Sequence, residues 1–268
     1  MSTQTQVGTA EVNGRLWSVN AAEWAELQEQ YLEPAFTAGL DALGVSSGTR
    51  LLDIGCGAGR ALRLAADRGA DVSGLDAAPG LLEIAHRRVP GATLIQGELQ
   101  TLPFGDAEFD AVSAFNSLQY AADPIAALRE AKRVTRSHGR ILALVWSPAE
   151  MCELAPHLKS LGALMPPPPP GAPGPFALSE RDALEEFFAA AELEIAEIRD
   201  VRCTFSYPDT ETAIRALSSA GPVVRVAEHA GTNAVRTDIA NFLSGHVRPD
   251  GTYAINNPFR YALSAPLT

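Results

Sequence analysis

The sequence predicts an α/β fold in which a doubly wound, mostly parallel sheet is covered by helices. Two observations predict it. Between residues 50 and 146, short apolar strands alternate with segments of helical periodicity, which is typical of βαβ units with right-handed crossovers. The first strand runs directly into three glycines at alternate positions, Gly55, Gly57 and Gly59. Such a turn marks the ligand-binding edge of an open parallel sheet.

The core contains five predicted strands and three predicted helices. Short apolar runs predict strands over 51–54, 71–75, 93–96, 109–115 and 140–146. Apolar positions with a period near 3.6 predict helices over 59–66, 80–88 and 123–135.

The flanking segments predict further helices and two more strands. Helical spacing predicts one or two helices over 16–42, interrupted at Pro34. The run MPPPPPGAPGP over 165–175 cannot form a helix or a central strand, because proline has no N–H donor; we expect a stiff connector, a lid hinge or a pocket wall. A helix capped by Ser179 then runs to residue 191. Beyond it we expect a strand over 195–206, helices over 210–217, 222–229 and 232–243, and a closing strand over 252–264.

This order of elements divides the chain into five parts. They are an N-terminal lid part (1–47), a ligand-binding core (48–147), a lid connector with a helix and the sixth strand (148–207), an inserted helical lid (208–250) and the final strand (251–268). A chain of 268 residues is long enough for one large core with such a lid.

Composition excludes several classes of function. The net charge is -11 and the basic residues form no long stripe, so we expect no nucleic-acid partner.

No apolar run approaches the roughly 20 residues of a membrane span, and the polar N-terminus does not resemble a signal peptide, so we expect a cytoplasmic protein without stable membrane association. The three cysteines lack metal-ligand spacing, and we expect no metal. The sequence does not predict an oligomeric state.

The acidic residues at the strand ends indicate which ligand the glycine turn binds. Asp53 precedes the turn, and Arg60 stands where a dinucleotide-binding pattern has its third glycine. A carboxylate there repels a pyrophosphate and favours a cationic group. Asp76 and Glu98 end the next two predicted strands. Three acids on successive strand ends predict a site for a positively charged adenosine.

Together these motifs resemble class I S-adenosylmethionine-dependent methyltransferases, in the small-molecule branch that includes quinone-ring and natural-product tailoring enzymes. The resemblance covers about residues 45–147. Its motifs are DIGCGAG (53–59), GLD (74–76), GELQTLPF (97–104), FDAV (109–112) and SHGRI (137–141). It implies S-adenosylmethionine as cofactor and a seven-stranded Rossmann-like sheet with an antiparallel last strand.

The resemblance also implies a set of cofactor-binding residues, which are Asp53, Gly55, Gly57, Asp76, Ala77, Glu98, Leu99 and Asn116. By position, the first two glycines approach the methionine part and Asp53 lies near its ammonium group. Asp76 holds the ribose. Glu98 and Leu99 border the adenine, although the family often has Asp where Glu98 stands.

Acceptor and catalytic residues are less well marked. We predict that the acceptor meets Trp17, Tyr31, Gln119 and Tyr120, with packing of the N-terminal helix as the alternative for Trp17 and Tyr31, and core packing for Tyr120. No general base is assigned. The candidates are His229, His246 and Tyr120, while His157 also belongs to the predicted lid.

The resulting prediction is methyl transfer from S-adenosylmethionine to a small, partly hydrophobic metabolite, aromatic or polyketide-like, in natural-product biosynthesis. Three alternatives remain open: a quinone or lipid methyltransferase, a protein that binds the cofactor without transferring methyl, as a cyclisation catalyst or sensor, and a nicotinamide oxidoreductase.

Overall fold

The computed structural model describes residues 8–169 and 173–267. Seven strands form one sheet in the order β3-β2-β1-β4-β5-β7-β6. They are β1 (Arg50–Ile54), β2 (Asp71–Asp76), β3 (Thr93–Gln96), β4 (Phe109–Phe115), β5 (Thr135–Trp146), β6 (Ile195–Tyr207) and β7 (Tyr253–Ser264). Strands β1 to β5 pair in parallel, and β7 lies antiparallel between β5 and β6. The predicted mostly parallel, seven-stranded sheet with an antiparallel last strand is confirmed.

Helices cover both faces of the sheet. They are α1 (Ala10–Val19), α2 (Ala21–Glu23), α3 (Glu33–Ala42), α4 (Arg60–Ala66), α5 (Pro79–Arg88), α6 (Pro124–Val134), α7 (Ala155–Ala163), α8 (Arg181–Ala190), α9 (Thr210–Ser218), α10 (Gly221–Ala230) and α11 (Thr232–Ser244). Between α2 and α3 the chain forms a π-helix and then a 3-10 helix. Residues 21–32 are called the irregular segment below.

The order of the strands places a crevice above β1 and β4. These two strands are neighbours although β2 and β3 lie between them in the sequence. The chain therefore leaves β1 and β4 towards opposite sides, and the loops after the two strands separate. In open parallel sheets such a reversal point is where ligands bind.

Two hydrophobic clusters enclose the sheet. Successive residues of β1 point to opposite faces, so that Leu51 belongs to one cluster and Leu52 to the other. The cluster of Leu51 extends without a break into the helices after β6, through residues such as Leu217 and Val226. The predicted lid helices therefore share the core of the main domain.

The structure differs from the sequence-based expectation at three places. The first helix begins at Ala10, earlier than expected. The predicted break at Pro34 coincides with the start of α3, where proline occupies the first helical turn. The prediction that Ser179 caps a helix is wrong: α8 begins at Arg181 with Glu180 as its N-cap. The Ser179 hydroxyl is buried and finds no hydrogen-bond partner among the described residues. Helix α7 was not predicted, because it is short and leads into the proline-rich run.

The described part of that run, residues 165–169 and 173–175, contains no helix or strand, as predicted; residues 170–172 lie outside the described residues. Among the helices of residues 8–169 and 173–267, none combines the length and the apolar character that crossing a bilayer requires.

Helix α1 lies directly on the loop after β2, and Gly14 makes this approach possible. A Cβ atom on Gly14 would overlap the carbonyl oxygen of Ala77. Because the obstacle is backbone, it cannot move aside as a flexible side chain would. Gly14 thus sets the distance between α1 and the crevice.

We expect Gly14→Ala to destabilise the protein by about 1–3 kcal/mol, because overpacking outweighs the gain in helix propensity. The matched control is Gly162→Ala, since Gly162 is exposed on α7 and a Cβ there meets nothing within 4 Å. This control should stabilise by about 0.5–1 kcal/mol. Urea unfolding of both variants measures the difference, and equal effects of the two substitutions would contradict the close packing of α1.

Candidate functional site

The glycine turn after β1 forms the floor of a pocket in the crevice. Gly55, Gly57 and Gly59 all have positive φ angles, of 76°, 54° and 79°, which only glycine adopts readily. A Cβ on Gly55 would overlap Ser117, whereas a Cβ on Gly57 would meet only Glu29 Oε1, at 3.6 Å. Gly55 therefore packs against the end of β4, and Gly57 leaves the backbone open to a ligand. We call this the first pocket.

Two carboxyl groups lie at the ends of β1 and β2, the first buried and the second partly exposed. Asp53 is 1% exposed, and Ser113 Oγ donates a hydrogen bond to it over 2.7 Å. Burial, with a smaller contribution from the charges of Asp76 and Glu29, raises the pKa of Asp53 to about 7. Burial also raises the pKa of Asp76, while the backbone N–H groups of Ala78 and Gly57 favour its charged form. These two N–H groups donate to the two carboxylate oxygens of Asp76, and each hydrogen bond is 2.8 Å long.

Glu98, after β3, connects this pocket to helix α1. Its Oε2 accepts the backbone N–H of Ala10 at 2.9 Å, and its Oε1 accepts that of Leu99 at 3.1 Å. Ala10 is the first residue of α1, so Glu98 satisfies one of the free N–H groups at the start of that helix. The third acid predicted from the strand ends therefore also holds the roof of the pocket.

The structure brings together all eight residues predicted to bind a cofactor. Asp53, Gly55, Gly57, Asp76, Ala77, Glu98, Leu99 and Asn116 all line the first pocket. Asn116 has a positive φ of 56°, which is uncommon outside glycine and typical of functional positions.

Sequence reasoning missed the contribution of the N-terminal elements to the first pocket. Asn13 of α1 and Glu29 of the irregular segment line it, and Glu29 is only 4% exposed. No regular periodicity marks Glu29, because it lies where a π-helix changes into a 3-10 helix. A buried acid at this position could not be distinguished from a solvated one by pattern alone.

A second, larger pocket adjoins the first. Its volume is about 570 Å³, against about 110 Å³ for the first. The two pockets share five lining residues, which are Trp17, Trp24, Leu32, Asn116 and Tyr120. Helices α7, α9 and α10 supply much of the remaining wall, with side chains such as Leu158, Leu161, Leu217, Val223 and Val226.

The described lining of the second pocket is mainly apolar and contains no cationic side chain. Among the described residues that line it, Asp123 is the single charged residue, and no Lys, Arg or His is present. The described part of the proline-rich run, including Pro173 and Pro175, also lines it. This matches the expectation of a pocket wall at that segment.

Aromatic side chains form the wall between the two pockets. Trp17 meets Trp24 edge-on, with 4.8 Å between ring centroids, and Tyr120 in the same way at 5.7 Å. Burial raises the pKa of the Tyr120 hydroxyl to about 12. Tyr120 therefore stays protonated at neutral pH and can donate a hydrogen bond, but it is a poor general base.

Three of the remaining sequence-predicted residues lie elsewhere. Tyr31 packs against Phe205 and donates its hydroxyl to the carbonyl of Ser206, outside the described lining of either pocket. His229 is exposed on α10, and the ring of His246 contacts the Phe242 carbonyl at 3.0 Å. Neither histidine is placed to serve as a base in these pockets.

Of the other predicted residues, Gln119 lines the second pocket, and Trp17 and Tyr120 line both. His157 is buried against Asp238, with 2.8 Å between Nδ1 and Oδ2. It lies outside the described lining of either pocket.

The raised pKa of Asp53 predicts a pH dependence of stability. Since the folded-state pKa lies near 7 and the ordinary value of an aspartate is 3.8, the neutral carboxyl stabilises the fold fully below pH 3.8. This contribution is lost as the pH rises towards 7. We expect the free energy of unfolding of the wild type, relative to Asp53→Asn, to fall by an amount on the order of 3 kcal/mol between pH 4 and 8. Urea unfolding of both proteins across this range measures it, and a constant difference would contradict the raised pKa.

Comparison with known proteins identifies the family. Residues 52–143 match the family described as Methyltransferase domain. Malonyl-[acyl-carrier protein] O-methyltransferase of Serratia marcescens is 32% identical over 183 residues, which cover 67% of this chain and 67% of that protein. Demethylmenaquinone methyltransferase of Renibacterium salmoninarum is 38% identical over 108 residues, 40% of this chain and 46% of that protein. The chain thus spans about half the length of this second relative.

The fold is also that of solved methyltransferase structures. Geranyl diphosphate C-methyltransferase from Streptomyces coelicolor A3(2), in complex with Mg²⁺, geranyl diphosphate and S-adenosyl-L-homocysteine, superposes with a TM-score of 0.58. The superposition covers 97% of this chain and 98% of that chain at 14% identity. Taken with the extent of the match to the Serratia marcescens relative, this shows that the chain belongs to the class I S-adenosylmethionine-dependent methyltransferases, whose cofactor is S-adenosylmethionine.

Proposed function

We propose that this protein transfers a methyl group from S-adenosylmethionine to a small, uncharged and largely apolar metabolite. The observation that carries the proposal is the contrast between the two adjoining pockets. The described lining of the first contains four carboxyl groups, and that of the second is mainly apolar and contains no Lys, Arg or His; aromatic residues separate the two pockets. A positively charged ligand and a neutral one are thereby held side by side.

The residues of the first pocket fit a cationic adenosine. Its described lining contains Glu29, Asp53, Asp76 and Glu98 but no Lys, Arg or His, so a pyrophosphate would be repelled. This argues against a nicotinamide dinucleotide. Asp76 would hold the ribose, Asp53 would lie near the ammonium group, and Glu98 with Leu99 would border the adenine. When bound, S-adenosylmethionine supplies an electrophilic methyl group on a sulfonium.

The residues at the junction orient the acceptor and exclude water. Trp17 and Trp24 line both pockets, and their ring faces also attract a cation. Gln119 Nε2 donates to Asn116 Oδ1 over 2.7 Å, which fixes the amide beside the junction. Correct alignment of the acceptor accounts for much of the lowering of the activation barrier in a displacement reaction. Tyr120 can donate a hydrogen bond to an acceptor oxygen.

The absence of a cation from the described lining of the second pocket distinguishes among the relatives' substrates. By their names, the Serratia marcescens relative acts on a malonyl group and the Streptomyces coelicolor enzyme on a diphosphate, and both groups are anionic. Burying such an anion without a counter-charge is costly. Demethylmenaquinone, in the name of the Renibacterium salmoninarum relative, is uncharged. The pocket therefore favours a neutral aromatic or polyketide-like acceptor, as in natural-product tailoring. The alternative acceptor is a quinone or a lipid.

A labelled-methyl assay tests the proposed function. The protein is incubated with methyl-labelled S-adenosylmethionine and pairs of acceptors that differ by one carboxylate, for example a hydroquinone and its carboxylated analogue. We expect the neutral member of each pair to be methylated at least 100-fold more efficiently, because an unpaired buried charge is strongly disfavoured. Preference for the anionic members would contradict the proposed acceptor class. Tight cofactor binding without transfer to any neutral acceptor would favour a cyclisation catalyst or sensor.

Substitution of Asp76 tests the assigned cofactor site. Asp76→Asn removes the charge and one of the oxygen acceptors, so we expect the affinity for S-adenosylhomocysteine to fall about 10- to 100-fold. Calorimetric titration measures the dissociation constant. Asp71→Asn is the matched control, because Asp71 begins the same strand and is exposed; it should bind like the wild type. Unchanged affinity in Asp76→Asn would show that Asp76 does not hold the ribose.

A further inference from the structure

Glu29 is a buried carboxylate of the first pocket that the family motifs do not include. It begins the 3-10 helix of the irregular segment and lines the pocket floor beside the glycine turn. Its Oε1 lies 3.6 Å from the position that a Cβ on Gly57 would occupy. The carboxylate therefore faces the one glycine of the turn that leaves its backbone open.

Arg88 holds one oxygen of this carboxylate, and the backbone N–H of Arg60 also favours its charged form. Arg88 donates to Glu29 Oε2 and also to the carbonyls of Ala58, at 2.8 Å, and Ala25, at 3.3 Å. The guanidinium thus joins the irregular segment to the glycine turn and fixes the orientation of Glu29. No side-chain hydrogen bond to Oε1 is found among the described residues, so this oxygen remains available on the pocket side.

The order of the strands shows which end of a ligand Glu29 would meet. Glu98, Asp76 and Asp53 follow β3, β2 and β1, which are neighbours in the sheet. A ligand with its adenosine at the first two acids therefore extends towards β1. Glu29 Oε1 faces Gly57, which lies in the turn directly after β1, so Glu29 and Asp53 occupy the same end. Two adjacent carboxyl groups there are complementary to one cation.

We propose that Glu29 is a further cofactor-binding residue, which accepts a hydrogen bond from the ammonium group at the amino-acid end of S-adenosylmethionine. The inference rests on the proposed function, since it requires the first pocket to hold this cofactor. In this role Glu29 selects for ligands that carry the amino acid. Through Arg88, it also couples binding of that end to the position of the irregular segment.

Two ligands that differ only at this end provide the test. S-adenosylhomocysteine carries the amino-acid portion, and 5′-methylthioadenosine lacks it but retains the adenosine and the sulfur. Calorimetric titrations with both ligands compare the wild type with Glu29→Gln, Asp76→Asn and Glu33→Gln. Glu33 is the matched control, because it is a nearby acid that pairs with Arg60 and is not among the residues lining either pocket.

We expect Glu29→Gln to lower the affinity for S-adenosylhomocysteine about 10- to 100-fold, as for loss of a charge-assisted hydrogen bond. Its affinity for 5′-methylthioadenosine should stay within about 3-fold of the wild-type value, which also shows that the pocket is intact. Asp76→Asn should lower the affinity for both ligands, because both contain the ribose. Glu33→Gln should leave both affinities unchanged.

Other outcomes overturn the inference in distinguishable ways. If Glu29→Gln lowers the affinity for both ligands equally, the role of Glu29 is structural: it only holds Arg88 in place. If it weakens neither, its carboxylate does not contact the ligand. If the wild type itself binds neither ligand, the assignment of the cofactor to this pocket fails, and with it the proposed function.

Discussion

The convergence of four carboxyl groups on one pocket, two of them buried and two partly exposed, is the constraint on which the rest of the site depends. Removing such groups from water is costly without hydrogen bonds or an opposite charge. Asp53 has the Ser113 hydroxyl, Asp76 has two backbone N–H groups, Glu98 has the start of α1, and Glu29 has Arg88. These partners come from separate regions of the chain, so satisfying the acids also fixes the turn after β1, the loop after β2 and the N-terminal elements.

The core and the cofactor side could be predicted because their signals are local. A strand such as β4 is recognisable from seven adjacent residues, and Gly55, Gly57 and the acids at strand ends have fixed offsets from their strands. The parallel arrangement then brings Asp53, Asp76 and Glu98 to one edge whatever the details of the loops. The prediction of the cofactor site depends on the joint pattern of these residues rather than on any one of them.

The acceptor side could not be predicted in the same way. The lid helices reach the site only through tertiary contacts, and no short pattern separates a pocket-facing residue from a packed one. Of the predicted acceptor residues, Trp17, Gln119 and Tyr120 line the second pocket. Tyr31, with the same kind of signal, packs against Phe205 outside it. His229 and His246 were candidates for their chemistry alone, and the structure places them away from the pockets. Ser179 shows the same limit, because its capping potential is real but α8 begins two residues later.

The tryptophan wall has a consequence for how acceptor preference can change. Trp17 faces both pockets and packs on Gly221, where a Cβ would lie 2.7 Å from the indole. A substitution that moves this ring to admit a new acceptor would disturb the compartment of the cofactor as well. Side chains such as Leu158 and Leu161 of α7 line the second pocket and are not among the residues that line the first. Substitutions there can reshape the space for the acceptor while the compartment of the cofactor stays intact.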